Sequence, residues 1–119
     1  MAELKRHMIE LVKEVRDGEI VTEKYLTPVF IPMSVVYEAI DLAGEIEDFN
    51  GGAKEEKDLI DKMLAFVADK VYGGQFTKQE IFEGLHAPDA IRVLQEQILF
   101  IARGMQNSDT KKYLKAKKG

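Results

Sequence analysis

Residue types able to do chemistry are sparse in this chain. There is no cysteine, and His7 and His86 are the only histidines. The lack of thiols removes disulfides, thiolate zinc sites, iron–sulfur clusters and cysteine nucleophiles together. Neither histidine has a helical partner or a nearby acidic spacing of the kind that builds a metal triad. Both are expected on the surface or in loops. His86-Ala87-Pro88-Asp89 sets an imidazole near a carboxylate, the raw material of an acid–base pair. Helix entry explains the same string, because a carboxylate is favoured at a helix N-terminus. Ser34 and Ser108 lack a nucleophile-elbow context, and Gly51-Gly52 and Gly73-Gly74 belong to neither a phosphate-binding loop nor a dinucleotide fingerprint. Asp48-Phe49-Asn50-Gly51-Gly52 opens like a calcium loop, yet Ala53 and Leu59 stand where such a loop needs a glycine and a bidentate glutamate. A helix-breaking linker is the expectation there. No catalytic residue, metal ligand or cofactor-binding residue is predicted.

A protein without a reactive centre must act through its surfaces, and composition bounds what those surfaces can be. The 119 residues fit one domain. With 45% apolar and 32% charged residues, the chain is too apolar for wholesale disorder. No window approaches the roughly 18 unbroken apolar residues of a membrane span, and Met1 to Glu10 interleaves charges with apolar residues instead of forming a signal peptide. The expected location is the cytoplasm, with no membrane partner. The net charge of −4 is uneven, since the segment from Asn107 onward holds five lysines against Asp109. That leaves an acidic body, which disfavours broad contact with a phosphate backbone. Residues 1–106 are read as a single helical domain and 107–119 as a flexible lysine-rich tail.

Periodicity supplies the elements. Up to Val15 the pattern fits two templates: Leu4, Met8, Leu11, Val12 and Val15 make a helical stripe, while Ile9, Leu11 and Val15 suit a strand. Asp17-Gly18 is a two-residue turn signal, and Ile20, Val21, Thr22 and Tyr25, then Val29, Phe30 and Ile31, are β-branched or aromatic. A hairpin is favoured, with a helix ending at Gly18 as the alternative. Pro28 and Pro32 make the second strand an edge. A helix over about Met33 to Asp48 follows, with Val36, Ile40, Ala43 and Ile46 on one face. Asn50-Gly51-Gly52 breaks it. From Lys54 to Tyr72 a broad apolar face, Leu59 to Val71, lies opposite Asp58, Asp61, Lys62 and Asp69. Gly73-Gly74 ends that helix, and Thr77 with Glu80 forms a capping-box signature for a short helix to Gly84. Pro88 opens the last helix, where Ile91, Leu94, Ile98, Ile101 and Met105 make a narrow seam, with Val93, Leu99 and Phe100 off it. So much apolar surface predicts cover on more than one side, by the core or by another subunit. The predicted fold is mainly α: a bundle of about four helices with a short N-terminal β-hairpin.

Phe76, Phe82, Leu85, Ile98 and Ile101 are the candidate partner-binding residues, on apolar character alone. The competing reading for Phe76, Phe82 and Leu85 is packing against the two longer helices. Glu38, Asp41, Glu45, Glu47 and Asp48 make the Met33–Asp48 helix acidic, which either recruits a basic partner or keeps that face wet.

With the elements in place, their order resembles the tail assembly chaperones of long-tailed bacteriophages, especially those of Gram-positive hosts. The residues that carry it are Tyr25-Leu26-Thr27-Pro28-Val29-Phe30-Ile31-Pro32 leading into Val36-Tyr37-Glu38-Ala39-Ile40-Asp41-Leu42, and Val67-Ala68-Asp69-Lys70-Val71-Tyr72-Gly73-Gly74-Gln75-Phe76-Thr77 leading into Ile81-Phe82-Glu83-Gly84-Leu85. The portion before Tyr25 departs most from the pattern. The resemblance implies a non-enzymatic factor that oligomerises, coats the tape measure protein, keeps it soluble and helps recruit tail tube subunits. It also implies a second, longer product made by ribosomal frameshifting, for which the codons of Lys115-Ala116-Lys117-Lys118-Gly119 are the candidate slippery run. Two other classes compete. A small nucleic-acid-binding regulator needs a basic recognition surface, whereas Arg92 and Arg103 stand isolated on the last helix. A small-molecule enzyme needs convergent polar groups that the sequence does not supply.

Overall fold

The computed structural model describes residues 4–105; the lysine-rich segment 107–119 lies outside the described residues. Strand β1 (Met8–Arg16) and strand β2 (Glu19–Leu26) pair antiparallel as a two-stranded sheet. Four helices follow: α1 (Ser34–Glu47), α2 (Ala53–Phe66), α3 (Lys78–Gly84) and α4 (Ala90–Arg103). A π-helical turn, Val67–Val71, prolongs α2, and a 3-10 turn, Ala87–Asp89, leads into α4. The mainly helical architecture with an N-terminal hairpin is the one expected.

The hairpin displaces its helical alternative because Asp17 and Gly18 both take positive φ, 51° and 81°. That geometry gives a two-residue connection a twist matching its strands. Lys13 is inserted as a bulge between the pairs Val12–Thr22 and Glu14–Val21. Ile9 and Leu11 point into the core, while most of β2 is exposed. The strand stops at Leu26, so Val29, Phe30 and Ile31 are not strand residues, against the expectation from their β-branched or aromatic character. Pro28 and Pro32 bracket them in a loop, where the missing proline N–H groups are no loss.

The base of the hairpin is closed by Thr27, which is buried. Its backbone N–H donates to the His7 carbonyl at 2.9 Å, its Oγ1 accepts from the His7 N–H at 3.1 Å, and its carbonyl accepts two Arg6 guanidinium bonds. His7 itself corrects the surface expectation: its relative exposure is 0%. Its ring stacks on Phe100 with centroids 4.7 Å apart. Burial in these surroundings lowers its pKa to about 4, because a charged imidazole would lose its hydration. His86 is exposed, as expected.

Packing of the helices follows their patterning, with two differences. Met63, Leu64, Phe66, Val67, Ala68 and Val71 carry the α2 face into the core, and the chain then reverses through Gly73 and Gly74, at φ 62° and 79°. The Gly74 N–H reaches back to the Ala68 carbonyl at 2.9 Å, closing the helix end that the two glycines permit. The Thr77–Glu80 capping box is present: Thr77 Oγ1 accepts from the Glu80 N–H at 3.1 Å and Glu80 accepts from the Thr77 N–H at 2.9 Å. In α1 the buried residues are Ala39 and Leu42, with Val35, Ala43 and Ile46 packed beside them. That face is turned by roughly 70° from the predicted Val36–Ile40–Ala43–Ile46 line, at 100° per residue. In α4, Leu94 and Ile98 are buried but Ile91 is exposed. The helix ends at Arg103 with Gly104 at φ 68°, which leaves Met105 outside it.

Two further contacts tie the hairpin to the bundle, beside the core packing of Ile9 and Leu11. The backbone of α3 comes so close to β1 that a Cβ on Gly84 would sit 3.1 Å from the Val12 carbonyl oxygen and 3.2 Å from Leu11 Cβ. The Tyr72 hydroxyl donates to Gln97 Oε1, and Gln97 Nε2 donates to the Met8 carbonyl at 3.1 Å. That buried chain joins the end of α2, the middle of α4 and the start of β1. Burial also pushes the Tyr72 phenol well above its ordinary pKa.

Candidate protein-binding surface

The five candidate residues fall into different places. Phe76 and Ile98 are buried in the core, where Phe76 packs edge-on to Tyr25 and tilted against Tyr72. Leu85 and Ile101 are half-buried against that core. Phe82, on the outer side of α3, is 61% exposed. The structure therefore leaves Phe82 as the member of the set with a large accessible ring, and the packing alternative describes Phe76 and, in part, Leu85.

A second apolar surface escaped the sequence reading. On α1 and at its N-cap, Met33 is 74% exposed, Tyr37 71% and Ile40 42%. Their spacing of four and three, continued by Gly44, puts them on one line of a helix. By helical geometry that line is almost diametrically opposite Ala39 and Leu42. It is the outermost line of α1, about 16 Å long at 1.5 Å per residue. A Cβ built on Gly44 would meet nothing within 4 Å, so the line ends on open backbone. Val29 and Phe30, in the preceding loop, are exposed as well. The sequence signal for it is the breadth of apolar residues around α1, the same breadth that leaves the core face ambiguous.

The acidic residues of α1 flank this line. Glu38, Asp41, Glu45 and Asp48 share one flank and are exposed. Glu45 pairs with Lys62 at 2.9 Å. Two shallow hollows open between this flank and α2, about 550 and 340 Å³ in volume. Carboxylates outnumber lysines in both: Glu45, Asp48, Glu55 and Asp58 stand against Lys62 in the first. The wide openings and mixed lining suit contact with a polypeptide better than enclosure of a small ligand.

The remaining chemistry is structural. Lys13 bonds to Glu80 at 2.9 Å and lies 5.1 Å from the centre of the Tyr25 ring. The lysine beside it, with the Thr77 backbone, holds the Glu80 carboxyl below its ordinary pKa. Arg92 is occupied by Asp89, at the N-cap of α4, and by Glu96 on the helix itself, which takes from α4 a cation that nucleic-acid contact would need. Among the described residues no group of three His, Asp or Glu side chains is placed to hold a metal ion, and no helix is long and apolar enough to cross a membrane.

Against known proteins, residues 3–118 match the family model described as "Phage tail chaperone protein". No curated protein and no solved structure matches the chain significantly. The family match runs through the hairpin, all four helices and both apolar surfaces. The chain therefore belongs to the phage tail chaperone protein family, a bacteriophage family of non-catalytic chaperones whose partners are tail proteins.

Proposed function

We propose that this chaperone binds the tape measure protein of a long-tailed phage of a Gram-positive host, keeps its hydrophobic helices soluble in the host cytoplasm, and helps recruit tail tube subunits. The observation that carries the reading is a family match over nearly the whole chain on a fold that leaves large apolar side chains in water at Phe82 and along Met33, Tyr37 and Ile40. Exposed apolar helix faces are what a small protein uses to cover helices of another. Within the earlier set, Phe82 makes direct contact, Leu85 and Ile101 contribute their exposed edges, and Phe76 and Ile98 support the surface from within. Self-association and a longer frameshifted product belong to the same reading.

The test is co-expression of this chain with the tape measure protein of the same genome, followed by sizing chromatography of the soluble fraction. A soluble complex, with the tape measure protein insoluble when expressed alone, is the expected result. A tape measure protein that stays insoluble beside abundant folded chaperone would refute the reading.

A further inference from the structure

We infer that the outer line of α1, Met33–Tyr37–Ile40–Gly44, is a docking surface for one kind of partner: an amphipathic α-helix with lysine or arginine along one flank. Three features select that occupant. The line has the four-and-three spacing of a helix seam and runs about three turns. Its three apolar side chains are exposed in the folded chain, and it ends at Gly44, where open space above the backbone admits close approach of a second helix, as small residues do at helix crossings.

The third feature is charge. Glu38, Asp41, Glu45 and Asp48 border the line on one side, and the hollows beyond them are lined by Glu55, Asp58 and Asp69 as well. Lys62, paired with Glu45, and Lys70, at the second hollow, leave the carboxylates in excess. An apolar stripe beside an acidic edge is complementary to a helix with an apolar stripe beside a basic edge. A second copy of this face does not supply the complement, because α1 contains neither lysine nor arginine. Packed antiparallel about a two-fold axis, two α1 helices would set their acidic edges side by side. Packed parallel, each acidic edge would meet the Val36 and Glu47 flank of the other. In either arrangement the second α1 brings no cation to the acidic edge, which argues against an isologous dimer here.

The probe is a fluorescent model helix of about 18 residues, long enough to cover the line. It carries leucines at three-and-four spacing and lysines along one flank; a twin carries glutamates in their place. Binding to the full chain is read by anisotropy. The proposal predicts that the basic helix binds and its acidic twin does not, with affinity falling as salt rises from ~50 to ~300 mM. The double variant Tyr37→Ser/Ile40→Ser keeps every charge, so general attraction for a basic peptide is unchanged, yet it should weaken binding roughly tenfold or more. Asp41→Lys should weaken it too. Val15→Ser, an exposed apolar change at the hairpin tip, should bind as the parent does, and circular dichroism should show all variants folded. Unchanged affinity in the serine double variant overturns the proposal. So does a dimer of the parent chain that the same variant dissociates, since the face would then belong to a second copy. The inference is separable from the tape measure reading: a soluble tape measure complex formed equally well by the double variant keeps that reading, while unchanged binding of the basic helix to the same variant overturns this one.

Discussion

Protonation of His7 should set how the stability of this protein depends on pH below neutrality. The imidazole has no exposure, rests on Phe100, and has its pKa lowered from 6.5 to about 4. In the unfolded chain the ring takes up its proton as pH falls through the ordinary value; in the folded chain it stays neutral until about pH 4. Between those limits the unfolded state binds more protons, so stability rises with pH. The contribution is complete above the unfolded value and is lost progressively on acidification. Working the linkage for these two values gives a loss of about 2 kcal/mol near pH 5 and about 3 kcal/mol near pH 4. Urea unfolding followed by far-UV circular dichroism, run in parallel on the parent and His7→Leu across that range, isolates the group. Every other titrating side chain is common to both chains and cancels in the difference. The variant's absolute stability is immaterial; its curve should lack the extra acid slope. Parallel curves would refute the claim that His7 is buried neutral, and with it the account of how β1 seats on α4.

Three further perturbations probe how the hairpin and α3 are held. Gly84→Ala should destabilise the fold by about 1–3 kcal/mol despite alanine's better helix propensity, because the new methyl meets the Val12 carbonyl at 3.1 Å and must push α3 off β1; a thermal melt reads it, and an unchanged or raised Tm would contradict the close approach. Gln97→Leu should cost about 1–3 kcal/mol by leaving the buried Tyr72 hydroxyl and the Met8 carbonyl without their partner. Combining it with Tyr72→Phe should cost less than the two single changes summed, whereas strict additivity in a double-mutant cycle would mean the pair is not coupled. Thr77→Ala removes the side chain that accepts from the Glu80 N–H and should cost about 1 kcal/mol; chemical denaturation showing no loss would mean α3 is held by its packing alone.

Local signals in the sequence were read well where the physics is local. Asp17-Gly18 demands positive φ, Thr77 with Glu80 closes its own capping box, and Gly73-Gly74 terminates a helix; each is decided within a few residues of chain. The polar core is different in kind. Nothing near His7 announces that Thr27 and Phe100 will enclose it, and nothing near Gln97 announces Tyr72 and Met8, because those partners arrive through long-range packing. A histidine followed by Met8 and Ile9 fits a solvated strand edge until α4 is laid over it. Strand β2 ran short of its apolar composition for a related reason: Val29, Phe30 and Ile31 have strand propensity, but Pro28 and Pro32 enclose them and no neighbouring strand is offered.

Helix α1 shows where patterning stops being informative. A 3.6-residue period identifies a core face only when the rest of the helix is polar, and here Val35, Val36, Tyr37, Ile40, Leu42, Ala43 and Ile46 are spread round much of the circumference. Two apolar faces then compete in the sequence, and packing assigns one to the core through Ala39 and Leu42. The other, left outside, carries the largest side chain of the helix, Tyr37. What distinguishes Met33, Tyr37 and Ile40 from the other exposed apolar side chains is that they are contiguous on one helix line, where apolar area stays in water at about 25 cal/mol per Å². On the docking proposal, the ambiguity that misplaces the core face has a physical cause. A helix patterned for two partners, its own core and another protein, must look apolar on both sides, and the acidic flank between them narrows which other protein that is.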